Sequence, residues 1–296
     1  MPPLKNKLAI VIPYYKIDFF EETIKSVASQ KDKNFSLYIG NDNSPDDPLP
    51  IIKKYLKDDE YKYFYYEENL GGKNLALQWE RILENITEEW FQILGDDDEL
   101  PENFVESFYN SITQLDEKGI NVIKFPVKII DENNNCIRQF SFGKNLISRY
   151  EFLISRINHS ALSSLSENIF RTKSFLKYKI QQFPLAWHSD DCMIFEYAEN
   201  DQILYCKNTF VFVRMSEKNI SSMTNNTSLK ETATNEFFTY IIANYYRQFS
   251  STQKKIILKN LKKHLYYSHH KLSLQTIFII FTDNFIHGLK LSKYLL

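Results

Sequence analysis

Three consecutive carboxylates, Asp96, Asp97 and Asp98, follow the apolar run Trp90–Leu94 and a single glycine. Adjacent like charges raise one another's pKa, so such a cluster is relieved by a cation or by solvent. Alternation along extended backbone directs Asp96 and Asp98 to one side and Asp97 to the other, which provides oxygen ligands for a hard divalent cation. The alternative is a solvated acidic turn before a helix that begins near Pro101.

Two further loops carry residues that suit a nucleotide. Asp42 follows an apolar run and is placed to accept a hydrogen bond from a nucleobase or ribose, while Tyr15 offers a ring for base stacking. An acid that caps a local turn with Asn43 is the alternative role for Asp42. The second of these loops is Gly71-Gly72-Lys73-Asn74. Its glycines allow the backbone to approach a diphosphate closely, and the loop also offers free N–H groups and the cation of Lys73.

These residues fall at the ends of predicted strands. Apolar runs predict strands over Leu8–Ile12, Phe35–Ile39, Tyr61–Tyr66 and Trp90–Leu94, with helical spacing between them. This alternation is typical of βαβ units and a mostly parallel sheet, which binds ligands at the carboxyl ends of its strands. After about residue 120 the pattern becomes α+β, with one apolar stretch over Val122–Ile130, and from Leu229 it is helical.

The bulk properties are those of an ordinary globular protein. The 296 residues are 43% hydrophobic and 25% charged, with a net charge of −1. Three widely spaced cysteines fit neither a disulfide framework nor a zinc site. The N-terminal apolar run is too short for a signal peptide and no run reaches the length of a membrane span. We therefore expect a cytoplasmic protein with no nucleic-acid partner.

Taken together, four segments resemble the family 2 glycosyltransferases with the GT-A fold, over most of residues 6–221. They are LAIVIPYYK, IGNDNSPDD, ENLGGKNLAL and ILGDDDELPENF. The last is similar to the family's DxD-type motif for Mn²⁺ or Mg²⁺ and is the most specific match. The resemblance implies Asp97 as metal ligand, Asp98 as its neighbour at the metal and Asp96 as the ribose contact. A register shifted by one residue is the alternative.

The same resemblance assigns the remaining donor contacts. Asp42 takes the position of the aspartate that binds the base, and the opening strand ends in Pro13 and Tyr15. The loop with Gly71, Gly72, Lys73 and Asn74 is similar to the family's Asn-x-Gly stretch. All of these residues are therefore expected to contact the nucleotide sugar.

A base must take the proton of the acceptor hydroxyl as the nucleotide diphosphate leaves. HSDDCMIFEYA resembles the family's Glu-Asp segment that opens a helix, which implies Asp190 as the base and Asp191 as the fallback. An ordinary N-cap pair is the alternative. In VRMSEKNISS, Arg214 and Ser221 match the following family segment, but Ser216 stands where many members carry His.

The resemblance implies an α/β protein with a Rossmann-like, mostly parallel sheet flanked by helices. A catalytic domain over residues 1–225 would comprise a nucleotide-sugar half (1–118) and an α+β acceptor half (119–225), followed by a helical extension (226–296). The implied reaction is a metal-dependent inverting transfer from a nucleotide diphosphate sugar, with UDP favoured, to a saccharide or lipid-linked saccharide. A composition typical of low-GC bacteria favours surface-polysaccharide synthesis.

Two other functions are compatible with the same motifs. A sugar-nucleotide nucleotidyltransferase shares the sheet and the metal, but the loop after the first strand lacks the glycine-rich, arginine-bearing sequence usual in that class. A non-catalytic nucleotide-sugar binding protein would not need the pair Asp190 and Asp191. Incubation with nucleotide sugars distinguishes the three functions, because a glycosyltransferase transfers the sugar, a nucleotidyltransferase exchanges the nucleotide and a binding protein does neither.

The C-terminal region is strongly basic. Residues 251–296 carry eight lysines against the single acid Asp283, a net charge of +7. Lysines between Lys254 and Lys263 alternate with Ile and Leu, which predicts an amphipathic basic helix. Such a helix can make peripheral contact with an anionic membrane or can pack on the catalytic domain with its lysines in solvent.

Overall fold

The computed structural model of the chain describes residues 6–295, and its first half alternates strands with helices. The elements are β1 (Leu8–Tyr14), α1 (Phe20–Ala28), β2 (Phe35–Asn41), α2 (Leu49–Tyr55), β3 (Tyr61–Tyr65), α3 (Leu75–Leu83), β4 (Trp90–Ile93) and α4 (Phe104–Lys118). β1 pairs in parallel with β2 and with β4, and β2 pairs in parallel with β3. The predicted parallel sheet is therefore confirmed.

The second half adds shorter strands and two connecting helices before α7. They are β5 (Val122–Lys124), β6 (Val127–Ile130), β7 (Cys136–Phe140), β8 (Leu146–Ile147), α5 (Arg149–Ile157), β9 (Asn168–Arg171), α6 (Thr172–Tyr178), α7 (Ser189–Tyr197), β10 (Ile203–Tyr205) and β11 (Val211–Arg214). The main sheet has the order β3-β2-β1-β4-β9-β5-β10-β8, and β11, β6 and β7 form a second sheet. Because β9 runs antiparallel to β4 and β5, the main sheet is mixed beyond its first four strands.

The apolar stretch over Val122–Ile130 is two strands rather than one. β5 ends at Lys124 and pairs with β9 in the main sheet, whereas β6 begins at Val127 and pairs with β11 and β7. The two residues between them include Pro126, which has no N–H to donate and so interrupts a ladder. Hydrophobicity alone carried no sign of this change of sheet.

Four α-helices follow within the described residues and pack on the second half. They are α8 (Thr227–Tyr245), α9 (Ser251–Ser268), α10 (Leu274–Asp283) and α11 (Phe285–Leu291). One apolar cluster combines Leu153 of α5 and Phe195 of α7 with Phe237, Ile241 and Leu261 of the extension. The extension thus shares its core with the preceding helices, and the division at residues 225 and 226 stays a prediction.

The basic helix α9 packs against the protein. Its apolar residues Ile257, Leu258, Leu261 and Leu265 are buried. The sequence left open whether this helix contacts a membrane or packs on the protein, and the structure shows that it packs on the protein. Between residues 6 and 295, no helix combines the length and apolar character needed to cross a bilayer.

The register of the sheet brings three strand ends to one edge. Tyr14 of β1 lies beside Asn41 of β2, and Val11 lies beside Ile93 at the end of β4. The strands themselves are buried, which fixes this register by apolar packing on both faces. The residues that follow Tyr14, Asn41 and Ile93 therefore emerge together.

Candidate functional site

A cavity of about 500 Å³ opens at this edge of the sheet. Eight of the residues predicted to contact donor or metal line it: Pro13, Tyr15, Asp42, Gly71, Gly72, Asp96, Asp97 and Asp98. Residues distant in sequence therefore meet at one place, as the strand-end argument predicts. A volume of this size suits a nucleotide-sized ligand.

Asp42, at the end of β2, is hydrogen-bonded to the loop that contains Gly71 and Gly72. Its Oδ1 accepts from the Leu70 N–H at 2.8 Å and its Oδ2 from the Gly71 N–H at 2.7 Å, and Arg81 contacts the same carboxylate. Burial raises the pKa of Asp42, although these hydrogen bonds oppose the rise. A Cβ at Gly71 would lie 2.5 Å from Oδ2, so the approach requires glycine.

The local turn that follows β2 does not use Asp42. The Ser44 N–H donates to Oδ1 of Asn41 at 2.8 Å, so Asn41 supplies the turn-capping contact. Asp42 is 3% exposed and faces the cavity. Asp42 therefore does not cap this turn, and its contact with a nucleotide stays a prediction.

Asp96 holds the loop that leaves β1. Its Oδ2 accepts from the N–H groups of Tyr15 and Lys16, at 2.8 and 2.7 Å. Burial, followed by the charge of Asp97, raises the pKa of Asp96 to about 6. The Tyr15 side chain is 41% exposed, which leaves its ring available to a ligand.

Asp98 is almost fully buried and committed to the protein. Its Oδ1 accepts from the Arg214 N–H at 2.8 Å, and its Oδ2 accepts from the Ser166 hydroxyl. Burial and the charge of Asp97 raise the pKa of Asp98 well above its usual value. The hydrogen bonds from Arg214 and Ser166 thus offset the free-energy cost of burying the Asp98 carboxylate.

Asp97 is the freest carboxylate of the three. Its side chain lines the cavity and is hydrogen-bonded to no other residue among residues 6–295. Burial raises its pKa, while the charges of Lys16 and Arg214 oppose the rise. A half-buried carboxylate without a partner is a group that a cation would stabilise.

The donor set fits a hard cation only in part. Carboxylate oxygens are the ligands that Mg²⁺ and Mn²⁺ prefer, and Asp97 presents them with Asp98 beside it. Within the described chain, however, no three His, Cys, Asp or Glu side chains are arranged to hold a metal. A cation here would rely on Asp97, on the nearby Asp98 and on oxygens of the ligand.

Arg214 braces the acidic loop. Its Nε donates to the Asp97 carbonyl at 3.0 Å, its Nη1 to the Asp131 carbonyl at 2.9 Å and its Nη2 to Glu99. With 1% exposure, each guanidinium nitrogen already has a protein partner. The arginine that matches the family segment is therefore a structural brace, and Ser216, at the position of the usual histidine, bonds to Asn219.

Two residues predicted to face the donor do not line the cavity. Nζ of Lys73 lies 2.6 Å from Glu68 at the surface. Asn74 caps α3 by accepting from the Leu77 N–H at 3.1 Å, because the end of a helix leaves such donors unpaired. The lysines that line the cavity are instead Lys16 and Lys218, of which Lys218 is ion-paired with Asp18.

Asp190 and Asp191 open α7 in different environments. Asp191 accepts from Nε of Arg156 at 2.7 Å, and Nδ1 of His188 lies 2.9 Å from its Oδ2. Burial raises the pKa of Asp191, but the charge of Arg156 and the hydrogen bonds to His188 and Arg156 together outweigh burial and lower that pKa. Asp190 has no side-chain partner among residues 6–295, and burial, with the charge of Asp191, raises its pKa to about 7.

A second cavity of about 540 Å³ lies between α7 and the C-terminal helices. Asp191, Trp187 and Lys230 line it, together with aromatic and basic residues of α8 and α9. Nζ of Lys230 donates to the carbonyl of Met223, at 2.8 Å, and Met223 lines the first cavity. The segment between Met223 and Lys230 therefore joins the walls of both cavities.

Several residues of the site were not predicted from sequence. They are Lys16, Asn69, Trp79, Ser164, Ser166 and Lys218. Lys16 directly follows the matched strand end, which is a signal that a search for diphosphate-binding cations could use. Ser166 carries no such signal, because its role depends on the antiparallel approach of β9 to β4.

Comparison with known proteins identifies the family. The model for Glycosyl transferase family 2 matches residues 9–179, more than half of the chain. A Campylobacter jejuni GalNAc(5)-diNAcBac-PP-undecaprenol beta-1,3-glucosyltransferase is 27% identical over 180 residues, covering 57% of this chain and 54% of that protein. An uncharacterized glycosyltransferase of Rickettsia prowazekii is 29% identical over 181 residues, covering 58% and 55%. The chain thus spans about half the length of these relatives.

A solved structure of S. aureus TarS 1-349 in complex with UDP-GlcNAc superposes with a TM-score of 0.67 at 20% identity, covering 98% of this chain and 84% of that one. This likeness concerns the fold and confirms the predicted GT-A architecture with its helical C-terminus. Members of the family commonly use divalent metals. On the family match, the chain belongs to glycosyl transferase family 2.

Proposed function

We propose that the enzyme transfers a sugar from a UDP-sugar to a hydroxyl of a saccharide or lipid-linked saccharide, with inversion at the anomeric carbon. The observation that carries the proposal is the convergence of Asp42, Asp96 and Asp97 on one cavity at the carboxyl edge of the sheet. The structure of TarS with UDP-GlcNAc supports uracil as the base. The name of the Campylobacter jejuni relative supports a lipid-linked acceptor.

The donor nucleoside would lie between the ends of β1 and β2. Asp42 reaches the base, and the exposed ring of Tyr15 provides a stacking surface. Asp96 has one oxygen engaged by the backbone of Tyr15 and Lys16, so its other oxygen is left for a ribose hydroxyl. Backbone rigidity at both loops would fix the orientation of the nucleoside.

Asp97, with Asp98 beside it, would hold Mg²⁺ or Mn²⁺ against the diphosphate. A divalent cation at this place neutralises the charge that grows on the departing diphosphate. Asp97 contributes the carboxylate with no other protein partner, whereas the contacts of Asp98 to Ser166 and Arg214 fix the loop. Lys16 adds positive charge at the cavity wall, whereas the charge of Lys218 is shared with Asp18.

Asp190 is our candidate for the base. A general base works best when its pKa lies near the working pH, and the pKa of Asp190 is raised to about 7. It would take the acceptor hydroxyl proton onto a carboxylate oxygen. Asp191, the fallback in the sequence analysis, is held by Arg156 and is a poor proton acceptor. We therefore assign Asp191 a positioning role.

The second cavity is our candidate for the outer part of the acceptor site, since Asp191 lines it, whereas Asp190 lines neither cavity and adjoins this one through the chain. It lies on the Asp191 side of the α7 N-terminus and has aromatic surfaces at Trp187 and Phe237 with polar groups between them. Apolar ring faces and hydrogen-bonding side chains together are suited to sugar rings. We keep residues 1–225 as the catalytic domain, with the helices after residue 226 completing its acceptor side.

A radiolabelled panel of UDP-, GDP-, CMP- and dTDP-sugars with a lipid-linked saccharide mixture tests the proposal. We expect a glycosylated product and free UDP from one UDP-sugar, with Mn²⁺ restoring activity after EDTA. Exchange of label between nucleotide and sugar phosphate would instead identify a nucleotidyltransferase. Tight binding of a nucleotide sugar, without sugar transfer to any acceptor, would instead identify a non-catalytic binding protein.

A further inference from the structure

The last two helices expose a row of large apolar side chains. Among the exposed large hydrophobic residues within positions 6–295, six lie in or between α10 and α11: Leu274, Phe278, Phe281, Phe285, Ile286 and Leu289. Spacings of four and three residues place Leu274, Phe278 and Phe281 along one side of α10, and Phe285 of α11 adjoins Phe281 across the extended residue Asn284. The other side is buried through Ile277, Ile280 and Leu291. The row is thus a solvent-facing apolar surface on elements that are anchored in the core.

The helix pair is held closely. A Cβ at Gly288 would lie 2.6 Å from the Cα of Phe281, so α11 approaches α10 at a distance that only glycine permits. The rings of Phe281 and Phe285 lie 4.5 Å apart. The apolar row is therefore presented by a defined surface rather than by a loose segment.

Lysines border this surface. Leu289 lines one surface cleft together with Lys262, Lys290 and Lys293. The single acid of residues 251–296, Asp283, is paired with Lys254. Within the described chain, no side-chain carboxylate forms an ion pair with the three lysines of the cleft. The border of the apolar row consequently carries uncompensated positive charge.

We propose that α10 and α11 dock on an anionic lipid bilayer, with the apolar row at the level of the acyl chains and the lysines at the headgroups. Apolar area and basic charge on one helical surface are the two terms that drive interfacial binding. A two-fold contact with a second copy would also cover the row, but it would bring the lysine borders together. Charge therefore favours a lipid surface over self-association.

The surface differs from the basic helix suggested by the sequence. The aliphatic residues Ile257, Leu258, Leu261 and Leu265 of α9 are buried in the core, so α9 contributes Lys262 to the border. Its exposed Tyr266 and Tyr267 are not part of the apolar row. The insertion surface belongs to α10 and α11. This proposal does not depend on the donor or the acceptor assigned above.

Flotation of the full chain with vesicles tests the proposal. We expect it to float with phosphatidylcholine vesicles that contain phosphatidylglycerol, to bind phosphatidylcholine alone weakly, and to be released partly by salt. The double substitution Phe278→Ser with Phe285→Ser lowers partitioning about tenfold or more. Lys290→Glu with Lys293→Glu lowers it comparably on anionic vesicles only.

Matched controls separate this surface from general effects. Leu176→Ser changes an equally exposed leucine on α6, and Lys53→Glu reverses an exposed charge on α2; both variants should partition like the unmodified chain. Folding of each variant is checked by its thermal stabilisation on addition of UDP, provided that the unmodified chain binds UDP. If it does not, circular dichroism is used to check folding. Equal flotation of all variants would overturn the proposal. So would a concentration-dependent dimer that the double Phe variant abolishes, with no vesicle binding by the unmodified chain.

Discussion

The carboxylate of Asp191 is held by Arg156, whose Nε donates to Oδ1 at 2.7 Å. Together with the contact from His188, this hydrogen bond gives the neighbouring acids Asp190 and Asp191 different pKa values. Asp191 stays ionised because the charge of Arg156 and the hydrogen bonds to Arg156 and His188 together outweigh the effect of burial on its pKa, while burial and the charge of Asp191 raise the pKa of Asp190. Pairs of acids whose environments separate their pKa values are typical of acid–base sites.

The first prediction concerns pH. If Asp190 must be ionised to accept the hydroxyl proton, the transfer rate should fall about tenfold per unit as pH drops below about 7. Asp190→Asn should lower kcat by about 10²- to 10⁴-fold while UDP binding persists. The exposed Asp59→Asn serves as the control. An unchanged acid limb in the Asp190→Asn variant would assign that limb to another group.

Removal of Arg156 should reveal what the pair contributes to stability. Because the folded pKa of Asp191 is lowered, its contribution is present above the unfolded value of about 3.9 and is lost as pH falls below it. Arg156→Met should reduce the free energy of unfolding at neutral pH by about 3 kcal/mol. Urea unfolding at several pH values measures this. Arg138→Met, on exposed β7, should change nothing, and equal stability of both variants would mean that the pair is energetically neutral.

Asp97 and Asp98 should respond differently to amidation. Asp97→Asn removes the unpaired carboxylate, so we expect loss of Mn²⁺-dependent transfer with unfolding stability unchanged or slightly higher. Asp98→Asn disturbs the acceptor for Ser166 and Arg214, so we expect lower stability together with lower activity. Titration calorimetry of Mn²⁺ with UDP and thermal unfolding separate the two. The reverse result would favour the metal register shifted by one residue.

Gly71 should tolerate no side chain. The Cβ of Gly71→Ala would meet Oδ2 of Asp42 at 2.5 Å, which forces the carboxylate or the loop away from the cavity. We expect UDP-sugar affinity to fall about tenfold or more, because a bound group displaced by an ångström loses its alignment. Gly143→Ala, where nothing lies within 4 Å, is the matched control. Equal UDP affinities would show that Asp42 does not contact the base.

Sequence patterns predicted the elements that carry strong periodicity. The strands that end at Tyr14, Asn41 and Ile93 were found within about two residues, because buried parallel strands are continuous apolar runs bounded by polar loops. The meeting of Tyr15, Asp42 and Asp97 followed from topology alone. Neither inference required knowledge of side-chain partners.

Contacts between distant segments were not predictable in this way. Lys73 was assigned to a diphosphate because its loop has the right composition, but Glu68, five residues earlier, provides a nearer partner. Arg214 matches a family segment, yet its guanidinium is used within the fold. Local sequence shows which charged and polar groups a loop contains. It does not show whether each group binds a ligand or forms an ion pair or hydrogen bond within the protein.

The bracing of the acidic loop by Arg214 bears on the entropy of ligand binding. The loop backbone is tied to β11 through Arg214 and to the turn at Asp131 before any ligand arrives. Ordering of this segment is therefore completed during folding, and a ligand loses little affinity to it. Changes at the Asp131 turn, which does not line the cavity, should consequently alter nucleotide affinity by loosening the loop.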